Sequence, residues 1–297
     1  MLFNSMTFIC FLAIVLVFYY AVPRACTKYV ILISSCVFYG WCDYRLLVLI
    51  LCVTAVNYFV ALLCNAQMPA IWRKYLILFS LIFNIGLLCI FKYLNFFAES
   101  VSEVLPYLGL HISYKPMDIA LPIGLSFITF GMISYVTDVY NGKLAPERDF
   151  VILASYVTFF PKLLAGPIER AVDFIPQTRH GPSVNRTNVL EGVWLILWGY
   201  FLKVFLADNL GTVVDSIYSN YKVLSGADVI ICSYAYAYQI FGDFAGYSYI
   251  AIGVSKLLGI SLNDNFRFPY FVRTPSEFWR NWHISLSSWI RDYLYIP

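Results

Sequence analysis

Charge is scarce in this chain of 297 residues. Lys, Arg, Asp and Glu together make up 12% of it, about half of the ~25% found in soluble globular domains. Hydrophobic residues reach 61% and aromatics 19%, and the mean hydropathy is +0.72. That leaves too little polar surface to face water on all sides, so the bulk of the chain is expected in a bilayer. Extended basic blocks are absent, which argues against nucleic acid as a partner. None of the eight cysteines forms a C-x-x-C pair, and most sit in apolar runs. This excludes a disulfide framework and a clustered metal site, and the cysteines are expected to be small buried packing residues. The first apolar stretch, MLFNSMTFICFLAIVLVFYYAVPR, lacks a basic leader. It reads as a retained transmembrane helix rather than a signal peptide. There is no internal repeat and no low-complexity segment.

What the chain does have is long apolar runs. A spanning helix needs ~20 mostly apolar residues. Spans are predicted at 3–22, 28–41, 45–64, 74–92, 119–140, 189–207 and 228–260, the last long enough for one helix plus a broken or re-entrant piece. Arg24 and Lys28 follow the first span, and Arg73 and Lys74 follow the third. The positive-inside rule makes both loops cytoplasmic and puts the N-terminus outside. The loop 93–118, with Glu99, Glu103 and Asp118 against Lys115, is then external. The run 150–166 is broken by Pro161, Gly166 and Pro167, and it is followed by Arg170, Arg179 and Arg186. Basic residues on both sides predict a re-entrant hairpin that enters and leaves at the cytoplasmic face, with an ordinary kinked span as the alternative. Such a hairpin requires surrounding protein or a wet cavity to satisfy its backbone.

Two ionisable residues lie at membrane depth, where a charge costs roughly 2.5–3.5 kcal/mol on insertion scales. Lys162, in TFFPKLLAGP, either faces a cavity or snorkels to the surface along its stem. Asp243, among Gly242, Gly246 and Gly253, either lines a polar interior or ties two helices together.

The segment 277–297, EFWRNWHISLSSWIRDYLYIP, carries three of the seven tryptophans and one of the three histidines. Placed on one helix over 276–293, Trp279, Trp282, Leu286, Trp289, Ile290 and Tyr293 fall on one side. Ser276, Arg280, His283, Ser287 and Arg291 fall on the other. One reading is a helix lying on the membrane surface. The other is that its polar side lines the mouth of a cavity. Arg273, Arg280 and Arg291, with Arg267 upstream, would then grip the phosphates of an acyl carrier such as coenzyme A or phosphopantetheine, and His283 would handle protons.

LPIGLSFITFGMISYVTDVYNGK (121–143), FFPKLLAGPIER (159–170) and NFRFPYFVRTPSEFWRNWHISLSSWIRDYLYIP (265–297) resemble the membrane-bound O-acyltransferase family. Within it they are most similar to the bacterial alginate and peptidoglycan O-acetyltransferase membrane subunits, with the D-alanyl transfer subunits of teichoic acid modification as relatives. The resemblance is collinear over nearly the whole chain. It implies an all-α, polytopic transmembrane fold around a central funnel, here as one domain over 1–297 of a cytoplasmic (inner) membrane protein.

The resemblance also implies transfer of an acyl group, acetyl in this branch, from a cytoplasmic thioester to a hydroxyl reached from outside. Acetyl-CoA or another acyl thioester is the implied donor substrate, and no bound cofactor or metal is expected. The implied acceptor is an extracytoplasmic polysaccharide, reached through a periplasmic or secreted acetyltransferase partner. The motif histidine is His283, implied to assist a second histidine in a later L-W-H-G-type motif. That motif does not occur in these 297 residues, so the domain is expected to be the N-terminal part of a longer enzyme, with little turnover by itself. Lys162, Arg170 and Asp243 are expected to line the funnel, with Asn281 a candidate oxyanion donor. An acidic residue is frequent in relatives where Tyr249 stands. From composition alone, a transporter or channel and a non-catalytic scaffold subunit stay open as alternatives.

Overall fold

The computed structural model describes residues 1–41, 43–64, 68–108, 117, 122, 124–179, 181, 184–219 and 224–296. Their secondary structure is helical, with one isolated antiparallel bridge between Phe266 and Trp282. The helices are α1 Met6–Ala21, α2 Thr27–Gly40, α3 Tyr44–Leu63, α4 Ala70–Val104, α5 Leu125–Tyr140, α6 Phe150–Thr158 and α7 Phe160–Leu163. They continue with α8 Ala171–Arg179, α9 Arg186–Tyr200, α10 Asp208–Ser219, α11 Gly226–Leu257, α12 Pro275–Asn281 and α13 Ile284–Ile290. A π-helical stretch, Phe201–Ala207, joins α9 to α10 without interruption, and a second, Arg291–Tyr295, follows α13.

Three helical runs are long and apolar enough to cross a membrane: Tyr44–Leu63, Ala70–Tyr107 and Arg186–Ser219. Their outward faces carry large apolar side chains such as Ile82, Trp194 and Phe205, each more than 60% exposed. Patches of this extent are a lipid-facing surface rather than a water-facing one. The same fact corrects the expectation for cysteine. Cys10, Cys26, Cys52 and Cys89 are exposed and only Cys64 and Cys232 are buried, because an apolar run in a membrane protein can satisfy its hydrophobicity against lipid. Cys42 lies outside the described residues.

Several predicted boundaries shift. Glu99 and Glu103 ride on α4, which continues well past residue 92. Lys115, Asp118 and the first residues of the 119–140 span lie outside the described residues. The span 228–260 is one unbroken helix of 32 residues. It packs lengthwise on α9 at glycine seams: a Cβ on Gly246 would sit 2.8 Å from the Gly199 carbonyl oxygen, and one on Gly253 would sit 2.6 Å from that of Gly192. Side chains there would force two backbones apart.

One end of the bundle is tied by polar contacts. Lys28 pairs with Asp149, Arg179 with Glu147 and Lys256 with Glu191. Tyr19 Oη donates to the Leu258 carbonyl (2.6 Å), Tyr58 Oη to that of Arg148 (2.6 Å), and Arg73 to that of Tyr140. The ends of α1, α3, α5, α8 and α11 therefore meet the starts of α2, α4, α6 and α9. The run α6–α8 leaves this end at Glu147 and returns to it at Arg179. It is a hairpin of the kind its flanking charges predict. Its turn is set by Phe159, whose ψ of 104° breaks the helix, and by Pro161 in the first turn of α7. Helix α6 is buried on nearly every side, which meets the condition for irregular backbone at depth.

Candidate functional site

The long amphipathic helix expected over 276–293 does not form. It breaks after Asn281, and His283 adopts a left-handed conformation, φ 44° and ψ 54°. The cause is a competing partner for the backbone. Arg267 N–H donates to the Asn281 carbonyl and Ile284 N–H to that of Asn265, each at 3.0 Å. The strand-like segment 265–267 thus captures the peptide groups that a continuous helix would use. A non-glycine residue at positive φ is costly and persists only where its surroundings hold it. Here they are aromatic: Phe244 stacks edge-on to the imidazole with centroids 4.7 Å apart, and Phe266, Phe278 and Trp282 pack alongside one another.

His283 is joined to the hairpin turn. Its Nδ1 lies 2.9 Å from Asn265 Oδ1. The same oxygen accepts from Ser285 Oγ at 2.9 Å, and Ser285 Oγ accepts from Ile168 N–H at 2.9 Å. On the other side, Asn265 Nδ2 lies 3.0 Å from Ser248 Oγ, which donates to the Ala165 carbonyl at 2.9 Å. Loop 165–168 of the hairpin, α11 and α13 thereby converge on one buried amide. Glu169 adds a clamp, accepting from Asn263 N–H (3.0 Å) and Asn263 Nδ2 (2.8 Å). Trp289 Nε1 donates to the Phe130 carbonyl (3.0 Å) and Tyr293 Oη to Asp138 (2.7 Å), which anchor the chain after His283 on α5. Burial pushes the His283 imidazole down to about 4, so it is neutral at neutral pH. The short helices on either side of it are too brief to cross a membrane.

A polar cleft of about 240 Å³ adjoins this network, lined by Arg170, Asp173, Asn263, Arg267, Ser285 and Ser288 among others. It lies along α8, the arm that leads back to the charged end of the bundle. Arg170 pairs with Asp292, which also accepts from Arg291 Nε at 2.7 Å. Arg170 and Arg291 therefore share one carboxylate beside the cleft.

The other expected site residues are placed differently. Arg273 and Arg280 are exposed and are not among the side chains lining the cleft. Asn281 donates its side-chain amide to the Glu277 carbonyl within its own helix (2.9 Å). Asp243 pairs with Lys203 at 2.6 Å, beside Asp208, Asp215 and Gln239 in a separate cleft of about 390 Å³. Lys162 is buried with its ammonium 3.7 Å from the centre of the Tyr156 ring. It borders a small void with Glu169, Gly131 and Met132 that has room for about one water. Tyr249 donates to the Phe266 carbonyl (3.3 Å) and helps hold the 265–267 segment. Sequence reasoning missed Asn265, Ser248, Ser285, Glu169 and Asp292. All of these except Ser248 stand inside motifs that carry the resemblance, but nothing local sets a buried amide apart from a turn asparagine.

Residues 147–297, which contain His283 and every residue bonded around the Asn265 amide, match the membrane-bound O-acyltransferase family. The chain belongs to that family. It is also similar along its full length to the probable alginate O-acetylase of Pseudomonas syringae, at 37% identity over 305 residues and 57% of that protein's length. The peptidoglycan O-acetyltransferase of Helicobacter pylori is 30% identical over 293 residues, covering 90% of this chain and 55% of the relative. The teichoic acid D-alanyltransferase of Bacillus subtilis is 28% identical over 204 residues, covering 66% of this chain and 50% of the relative. The chain thus spans little more than half the length of these curated relatives. As a member of the family with apolar helices of spanning length, it is a membrane protein.

Proposed function

We propose that this chain carries the donor side of a membrane O-acyltransferase, moving an acyl group, acetyl in the first instance, from a thioester to a polysaccharide hydroxyl. The observation that supports it most is the left-handed His283, held against the tip of the hairpin beside an arginine-bordered cleft. In the proposed reaction the hydroxyl oxygen attacks the thioester carbonyl and a C–O bond forms. The C–S bond then breaks, and the hydroxyl proton ends on the departing sulfur. The phosphates of acetyl-CoA, or of another acyl thioester, would compete with Asp292 and Asp264 for Arg170, Arg291 and Arg267. Bidentate guanidinium–phosphate contacts favour that exchange.

The charged end of the bundle carries Arg24, Lys28, Arg73, Lys74, Lys143, Arg148, Arg179 and Lys256 against Glu147, Asp149 and Glu191. By the positive-inside rule it faces the cytoplasm of the inner membrane. The donor then enters from inside. The acceptor, a polysaccharide such as alginate or peptidoglycan, is reached from outside through a periplasmic or secreted partner. Membranes from cells expressing the gene, given acetyl-labelled thioester, should release free thiol and pass label to the polysaccharide or to that partner. Movement of a labelled solute with no label transferred would favour a transporter instead.

A base with a pKa near 4 is weakly driven to take a proton at neutral pH. The role that suits His283 is to orient the hydroxyl as a hydrogen-bond acceptor. Its working form is neutral and is protonated only as the pH falls through about 4. The acid limb of kcat/KM attributable to His283 should therefore lie near 4. A limb near 6.5 that disappears in His283→Gln would contradict this assignment.

A further inference from the structure

The hydrogen bonds around Asn265 settle which way its amide points. Ser248 gives its single hydroxyl hydrogen to the Ala165 carbonyl, an acceptor with nothing to donate. Toward Asn265, 3.0 Å away, Ser248 can then only accept, so the group facing it is the Nδ2 amino group. On the opposite side Ser285 accepts from Ile168 N–H, and its own hydrogen goes to Asn265 at 2.9 Å. Ser248 demands this orientation, with Oδ1 toward Ser285 and His283, and only this orientation also gives the Ser285 hydrogen an acceptor. An amide oxygen cannot donate. The His283 nitrogen 2.9 Å from it, Nδ1, must carry the proton, and Nε2 keeps its lone pair. Asn265, Ser248 and Ser285 are all buried, so water does not compete for these contacts. No charged side chain is in ion-pair contact with the imidazole among the described residues.

We propose that Asn265 is a positioning residue for the acyl transfer: with Ser248 and Ser285 it locks His283 in the Nδ1–H tautomer, leaving Nε2 as the acceptor that meets the substrate hydroxyl. The wrong tautomer would present an N–H to that hydroxyl and repel its proton. The lock is anchored on backbone groups of loop 165–168, so the hairpin tip and the imidazole are set by the same contacts. The proposal deepens the function assigned above and rests on it for the word substrate, but the tautomer itself is a property of the resting protein.

The test uses that independence. The chain has three histidines, His111, His180 and His283. Imidazole ¹⁵N labelling of the chain in lipid nanodiscs, with His111→Gln and His180→Gln, leaves one ring to observe. Nδ1 should resonate as protonated and Nε2 as unprotonated. Asn265→Leu should abolish this preference and give a mixture. Ser248→Ala, which frees the amide to turn, should move the population toward the Nε2–H form. Asn265→Asp keeps an acceptor at Nδ1, so it should retain the tautomer while raising the titration midpoint of His283 by roughly one unit or more. In the transfer assay, Asn265→Leu should lower kcat roughly 10- to 100-fold with KM little changed, and Asn265→Asp should restore part of it. An Nε2–H ring in the unmutated chain overturns the proposal, as does a tautomer ratio unmoved by both Asn265→Leu and Ser248→Ala. If Asn265→Leu fails to fold, the Ser248→Ala and Asn265→Asp spectra decide. The expected spectra together with full activity in His283→Ala would leave the lock standing and remove only the catalytic reading.

Discussion

Replacing His283 by alanine should lower acyl transfer by roughly 10²-fold, the loss expected when a reacting hydroxyl is no longer held in place, while the protein still accumulates in the membrane. The two halves of this expectation have separate causes. Position 283 has φ 44°, and alanine, which like histidine carries a Cβ, bears a left-handed backbone cost only somewhat above that of histidine. The hydrogen bonds that hold the turn, from Arg267 and Ile284 N–H, are made by the backbone and survive the change. What is lost is the ring: its bond to Asn265, its edge contact with Phe244 and its free nitrogen. The check is acetyl transfer per unit of membrane-inserted protein. Activity retained at that normalisation would show that His283 takes no part in the chemistry.

Gly246→Leu should have the largest effect on stability. The seam between α9 and α11 brings a Cβ at residue 246 to 2.8 Å from the Gly199 carbonyl oxygen and 2.9 Å from Lys203 N. Both are backbone atoms that cannot rotate away. Overpacking of this kind typically costs 1–3 kcal/mol and sometimes more, and in a chain of this size about 3 kcal/mol lowers Tm by roughly 6–12 °C. The damage should spread to the site, because Ser248 lies two residues along the same helix and holds the Asn265 amide. Gly86→Leu is the matched control: a Cβ there has no neighbour within 4 Å, so thermal stability in detergent should barely change. Equal losses in the two variants would mean that the glycine seam is not what holds α9 to α11.

Much of this architecture is legible in the order of residues. Low charge and long apolar runs dictate membrane helices, since every backbone group in hydrocarbon must be bonded within its own segment. Arginines on both sides of 150–166, with Pro161 and Gly166 between them, imply a hairpin that returns to its own side, and the pairing of Arg179 with Glu147 closes it there. His283 stood out through its motif. The left-handed turn at His283, the amide of Asn265 and the diversion of Asp243 to Lys203 were not legible. The helical wheel over 276–293 failed because periodicity describes a helix that has no rival for its peptide groups. Segment 265–267 is such a rival, and it reaches those groups only once α11 has folded back. Local sequence thus indicated which runs are apolar enough to enter a membrane and where the chain turns. Which nitrogen of one histidine bears a proton was decided by two serines and an asparagine far apart in the chain, because hydrogen-bond direction is set only when distant partners meet.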